Sequence, residues 1–262
     1  FEMHHARGET ADHVWTYLRE RRWLFPGDLF IWAVPNAGNP QKVQRYCDEW
    51  AGALREMAAL GAELMVCGHG LPILGADRIR QALLDTAEYL DAIESQTLAL
   101  MNRALPLDEI LQRVVPPPHL AGRAHLQPNY DHPQFLVRNV WRRYGGWWDG
   151  EADHLLPAPR AQQAREWIDL AGGVANVLAR VEALQAAGDL RMASHLIEMA
   201  VLAEPQSDAA FTLRERVYAA RSAEQLSTMG RGIFNHFAVS SRERRRDRFA
   251  VLDTPTAGEG AT

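Results

Sequence analysis

Trp23-Leu24-Phe25-Pro26-Gly27-Asp28 reads as a short strand that runs into a glycine and then a carboxylate. Immediately before it, Val14 to Leu18 is rich in β-branched and aromatic residues, and Arg19 to Arg22 is a charged turn. Two short apolar runs around a tight polar turn predict a β-hairpin. After it, Pro35 to Pro40 carries the breakers Pro, Asn and Gly and predicts a loop. Gln41 to Leu60 then places Val43, Trp50, Leu54, Met57 and Leu60 at helical spacing, with Gly61 as the expected stop. Glu63 to Cys67 is a short apolar strand that runs straight into Gly68-His69-Gly70. Residues 1–76 therefore predict an α/β unit.

Three motifs in this unit set a ligand-type side chain beside glycine. They are Gly8-Glu9-Thr10, with Asp12-His13 just behind it, Pro26-Gly27-Asp28, and Cys67-Gly68-His69-Gly70. Glycine lets the backbone turn sharply and approach a bound group closely. Carboxylate and imidazole suit Zn²⁺ and similar ions. Taken singly, each motif is as well explained by a turn. Their order along the chain is more specific.

Beyond Gly75 the pattern becomes helical. Asp77 to Arg103 keeps Ile79, Leu83, Leu90, Ile93 and Met101 near one face, which predicts one long helix. Leu107 to Val114 predicts a short helix that Pro116-Pro117-Pro118 stops, and Gln134 to Tyr144 another, followed by the aromatic turn Gly145 to Gly150. Four or five further helices are expected between Ala161 and Phe237, among them one tetratricopeptide-like hairpin about Gly188-Asp189. The polar stretch 239–262 is expected to be disordered.

The ordered set — Glu9, a hairpin into Gly27-Asp28, a helix, then a strand into Gly68-His69 — resembles the second half of a metallo-β-lactamase-fold hydrolase, an αββα sandwich. Glu at position 9 resembles the alkylsulfatase branch of that family. The helical half, residues 77–238, is similar to the alkylsulfatase dimerisation domain. The resemblance rests on Gln96 to Asn102, Pro128-Asn129-Tyr130-Asp131, and Val137-Arg138-Asn139-Val140-Trp141-Arg142-Arg143-Tyr144-Gly145-Gly146-Trp147-Trp148-Asp149-Gly150.

The resemblance implies two Zn²⁺ ions. Glu9 would complete the first, Asp28 would bridge as the catalytic carboxylate, and His69 would complete the second. Asp12 and His13 would steady those ligands. Asn36, Asn39, Lys42 and Arg45 would bind the sulfate, the last two from one face of a helix near its N-terminus. The implied reaction is hydrolysis of an alkyl sulfate ester to alcohol and sulfate by a homodimer. Three departures keep another ester, a thioester or a phosphodiester open. Asp28 stands where the branch often has Glu, and Trp32 and Gln41 stand where it carries His and Arg. The family's His-x-His-x-Asp-His motif does not occur in this sequence. We therefore expect half a site, with no or very weak hydrolysis by the chain alone. A non-catalytic truncated dimerisation module is the remaining alternative.

The chain has 262 residues, 47% hydrophobic and 23% charged, with a net charge of -5, which is ordinary for a globular protein. It begins with Phe1, which suggests a fragment or a processed product. No basic stripe with interleaved aromatics calls for nucleic acid. No apolar run reaches the roughly 18 residues of a membrane span. Cys47 and Cys67 are too few for a disulfide framework, and a cytoplasmic setting is expected.

Overall fold

The computed structural model describes residues 1–243. These form two compact units, Phe1–Leu155 with Leu226–Met229, and Leu156–Gln225 with the chain from Gly230 onward.

The first unit is built on a five-stranded sheet: β1 Glu2–His5, β2 Val14–Leu18, β3 Trp23–Ile31, β4 Leu64–His69 and β5 Ile73–Leu74, paired in that order. The expected hairpin is β2 and β3, antiparallel with Thr16 opposite Phe25 and Leu18 opposite Trp23. Helix α1, Cys47–Ala59, connects β3 to β4, and these two strands run parallel. Strand β1 carries too little apolar patterning to have been expected, and it pairs with β2 along its whole length.

Alternation sorts the side chains of the sheet. Trp15, Tyr17, Leu24 and Met65 are buried, while Val14, Trp23 and Val66 are exposed. The buried set joins Trp50, Leu54 and Met57 of α1 and Ile79, Leu83 and Leu90 of α2, Ala76–Met101, in one core. The Trp50 indole N–H donates to Leu29 O at 2.8 Å, so its burial leaves no unpaired donor there. Helices α3, Leu107–Arg113, and α4, Pro133–Gly145, complete this unit. Its border at Leu155 lies well past residue 76, because α2 packs along α1.

Two expectations need correction. The helix predicted from Gln41 begins only at Cys47. Residues 41–46 give their backbone groups to other partners. Gln41 N donates to the Asn39 side chain, while Arg45 N and Arg45 O are both held by the side chain of Asn139 on α4. Lys42 and Arg45 therefore do not share a helix face. The second strand of the hairpin also runs on to Ile31, so Asp28 lies within β3 rather than at its tip. The register with β4 shifts on both sides of Gly27, which marks an irregular stretch around that carboxylate.

The second unit is helical: α5 Arg160–Leu170, α6 Val174–Ala186, α7 Leu190–Ala203, α8 Asp208–Ala223 and α9 Thr228–Arg242. Gly188, at φ +78°, and Asp189 make the turn between α6 and α7, and the Asp189 side chain caps α7 by accepting from Met192 N at 3.1 Å. Val177, Val181, Ala193, Ile197 and Leu213 form its core. Helix α9 runs through Arg242, past the expected start of the polar tail. The rest of that tail lies outside the described residues.

Candidate active site

Glu9, Asp28 and His69 line one cleft of about 440 Å³, although 60 residues of sequence separate the first from the last. Glu9 comes from the loop between β1 and β2, Asp28 from β3 and His69 from the end of β4. The parallel pairing of β3 with β4 sets Ile31 opposite His69 and Gly27 opposite Cys67. This register brings His69 Nε2 to 3.4 Å from Asp28 Oδ2.

Gly68 makes that approach possible. A Cβ there would lie 2.1 Å from Asp28 Oδ1 and 2.6 Å from the Gly27 carbonyl carbon. Gly27 has φ +55°, and a Cβ on it would meet the His13 ring at 2.9 Å. The glycines beside the ligand-type residues are thus close-approach positions, as their spacing suggested.

Glu9 is held from two sides. Its Oε1 accepts from Asn36 Nδ2 at 2.6 Å and lies 3.0 Å from Arg45 Nη1. Asn36 is buried at 6% exposure and lines the cleft, and its Oδ1 has no hydrogen-bond partner. Arg45 is buried behind Glu9. Asn39 is also buried, and its side chain accepts from Gln41 N at 3.0 Å. Lys42 and Asp12 are exposed. His13 Nε2 lies 3.0 Å from Pro26 O, so this ring steadies the β3 backbone just ahead of Gly27.

The rest of the cleft lining is mainly apolar and includes Ile31, Trp32 and Ala33. Tyr130 lines it as well, from a segment nearly 100 residues downstream of Trp32. Sequence reasoning did not single out Tyr130 for the site, since only its place in the Pro128-Asn129-Tyr130-Asp131 motif marked it. Its neighbour Asp131 is fully buried and accepts from Gly38 N at 2.8 Å and His132 N at 2.9 Å. That carboxylate ties the loop carrying Asn36 to the motif. Burial pushes the Asp131 carboxyl up to about 7 against those hydrogen bonds. Burial also pushes the Cys67 thiol up to about 11, so without a bound metal it stays protonated near neutral pH.

Among the described residues, no group of three or more His, Cys, Asp or Glu is drawn together closely enough to hold a metal ion. The cleft does offer a carboxylate and an imidazole side by side, with a second carboxylate facing the same space. This donor set suits Zn²⁺ in kind.

The family description "Alkyl sulfatase dimerisation" matches residues 106–244, more than half of the chain. The chain belongs to the alkylsulfatase family. It is 29% identical over 218 residues to a linear primary-alkylsulfatase of Pseudomonas sp. (strain ATCC 19151), a match covering 82% of this chain and 41% of that protein. It is 29% identical over 203 residues to an (R)-specific secondary-alkylsulfatase of Pseudomonas sp., covering 76% of this chain and 31% of that protein. The solved structure of the stereoselective inverting sec-alkylsulfatase Pisa1 from Pseudomonas sp. superposes with a TM-score of 0.86 at 24% identity, over 94% of this chain and 41% of that one. That likeness shows a shared fold, a small sheet with its helices followed by a helical region. The chain spans about two fifths or less of the length of these alkylsulfatases.

Proposed function

We propose that this chain carries the later part of a two-metal sulfate-ester hydrolase site together with the helical region through which the enzyme forms a homodimer. The single observation behind this reading is that Asp28 and His69, 3.4 Å apart, share one cleft with Glu9. Glu9, Asp28 and His69 would hold the two Zn²⁺ ions. When bound, the ions would supply a water of lowered pKa and charge stabilisation for the developing oxyanions.

The chain's own residues account for the rest of the site. Arg45 and Asn36 fix the direction of Glu9 through one oxygen. Asn36 Oδ1 and the cleft-facing carboxylates leave a polar end for the anionic head of the substrate and its water. Ile31, Trp32 and Ala33 supply apolar lining that suits the alcohol arm of an alkyl sulfate. In this reading residues 1–76 are the hydrolase part and residues 77–238 the dimerisation part. A cytoplasmic setting goes with it, supported by two unpaired cysteines. No helix among the described residues is long and apolar enough to cross a membrane.

The test is zinc uptake by the purified chain, together with sulfate release from an alkyl sulfate. Zinc that binds to the wild type and is lost in Asp28→Ala supports the reading. Uptake equal in both proteins excludes the role of Asp28.

One observation favours a second reading, a non-catalytic dimerisation module. The charge of Glu9 is already offset by the Arg45 guanidinium without any metal ion. A dimeric chain that takes up no zinc at any concentration below protein precipitation, and releases no sulfate, selects that reading. Zinc uptake combined with release from another ester, and none from alkyl sulfates, selects the same fold with a different substrate.

A further inference from the structure

Helix α5 carries two apolar stripes. Ala164 and Ile168, four residues apart, are buried in the second unit. Trp167 and Leu170, three residues apart, stay 62% and 79% exposed. Trp167 borders two grooves. One, of about 490 Å³, takes in Gln163, Glu166 and Leu170 of the same helix. The other, of about 310 Å³, is lined by Ile168, Val177, Leu196 and Met199, so its walls come from α5, α6 and α7. A projecting aromatic ring therefore stands beside an apolar hollow on one face. A single exposed apolar residue is ordinary, but a tryptophan and a leucine one turn apart beside such a hollow form a patch of the kind that marks an interaction site.

We infer that this α5 face is where two copies of the chain meet, each Trp167 entering the other copy's hollow over Ile168, Val177 and Met199. Three observations select a second copy as the occupant. Residues 106–244, which match the dimerisation family, contain the whole of α5, α6 and α7. The face holds both a ring that projects and a groove that can receive one. A two-fold axis sets each against its counterpart, so the contact closes on itself. Arg165, Glu166 and Asp169 are exposed around the patch and carry both signs of charge. A rim of one sign would repel its own copy, whereas this one can set unlike charges together. Tryptophan and methionine at the centre with charge at the rim is the composition of an interface core. This inference rests on the homodimer reading and names its contact face.

The experiment is the dimer dissociation constant of the chain, measured by sedimentation across a concentration series. Trp167→Glu and Leu170→Glu are each expected to raise it at least about 30-fold, the loss of one interface anchor. Trp167→Phe, which keeps an apolar ring, should raise it less. Val115→Glu puts the same charge on an exposed apolar residue of the first unit that also falls within the matched region. It should leave the constant within about 2-fold. Circular dichroism checks that each variant is folded. Should Trp167→Glu unfold, Leu170→Glu carries the test, since that residue is the more exposed of the two. A wild-type dimer that neither glutamate weakens, or that Val115→Glu weakens as much, overturns the inference and leaves the homodimer reading standing. A wild-type chain that stays single at every concentration overturns both.

Discussion

Arg45 Nη1 lies 3.0 Å from Glu9 Oε1, and both side chains are largely screened from solvent. The residue expected to donate to a sulfate instead grips a residue expected to ligate a metal. Removing one partner of a screened ion pair strands the other's charge, which costs about 3–5 kcal/mol. Arg45→Met should therefore destabilise the chain by about that amount in urea unfolding, and Glu9→Gln combined with it should recover part of the loss. Additive losses in the double variant would show that the two side chains are not coupled.

Asp131 should make the stability depend on pH. Burial raises its folded-state pKa from the ordinary 3.8 to about 7. The folded protein then holds this proton more tightly than the unfolded chain does. The stabilisation is full below the unfolded value and is lost as pH rises through about 7. The expected outcome is a urea midpoint that falls between pH 5 and pH 8 in the wild type and falls less in Asp131→Asn. Parallel pH profiles would count against this assignment.

Gly38 should tolerate no side chain. A Cβ there would lie 2.1 Å from the Phe135 carbonyl carbon and 2.2 Å from Leu136 N, both main-chain atoms that cannot rotate away. Gly38→Ala should cost at least about 1–3 kcal/mol as an overpacked contact. It should also speed exchange of the amide that Asp131 holds at 2.8 Å. Unfolding and hydrogen-exchange measurements on the two proteins check this.

Zinc affinity should follow the cleft residues. Asp28→Ala and His69→Ala are each expected to weaken zinc binding by more than about 10-fold, since even partners one step removed from a metal are worth 10–100-fold. Asp12→Ala, at an exposed position, should leave affinity within about 2-fold, short of that range. Competition with a chromophoric chelator measures all three.

The chain should be a dimer in solution, as its match to the dimerisation family implies. Light scattering should give a mass near twice 29.4 kDa. A mass of one chain at micromolar concentration would remove the homodimer from the proposal.

Much of the architecture is legible in the residues because it is local. The alternation from Val14 to Phe25 marks a hairpin, since a strand repeats every two residues. The spacing from Ile79 to Met101 marks a long helix, since a helix repeats every 3.6. Gly27, Gly68 and Gly70 flag the points where the chain passes close to another group. The start of α1 was misplaced because its decisive partner, Asn139, lies 94 residues away and takes the backbone bonds of Arg45. Periodicity carries no record of such a competitor.

By itself, the sequence determined most of the elements, the family, and the three residues that face the cleft. Only the tertiary structure decided what each of them touches. The parallel register of β3 and β4 put His69 beside Asp28, folding buried Arg45 against Glu9, and Asp131 drew Tyr130 to the cleft wall. The physical reason is that propensity and pattern act over a few residues, whereas ion pairs, buried carboxylates and cleft walls join side chains brought together only when the core closes.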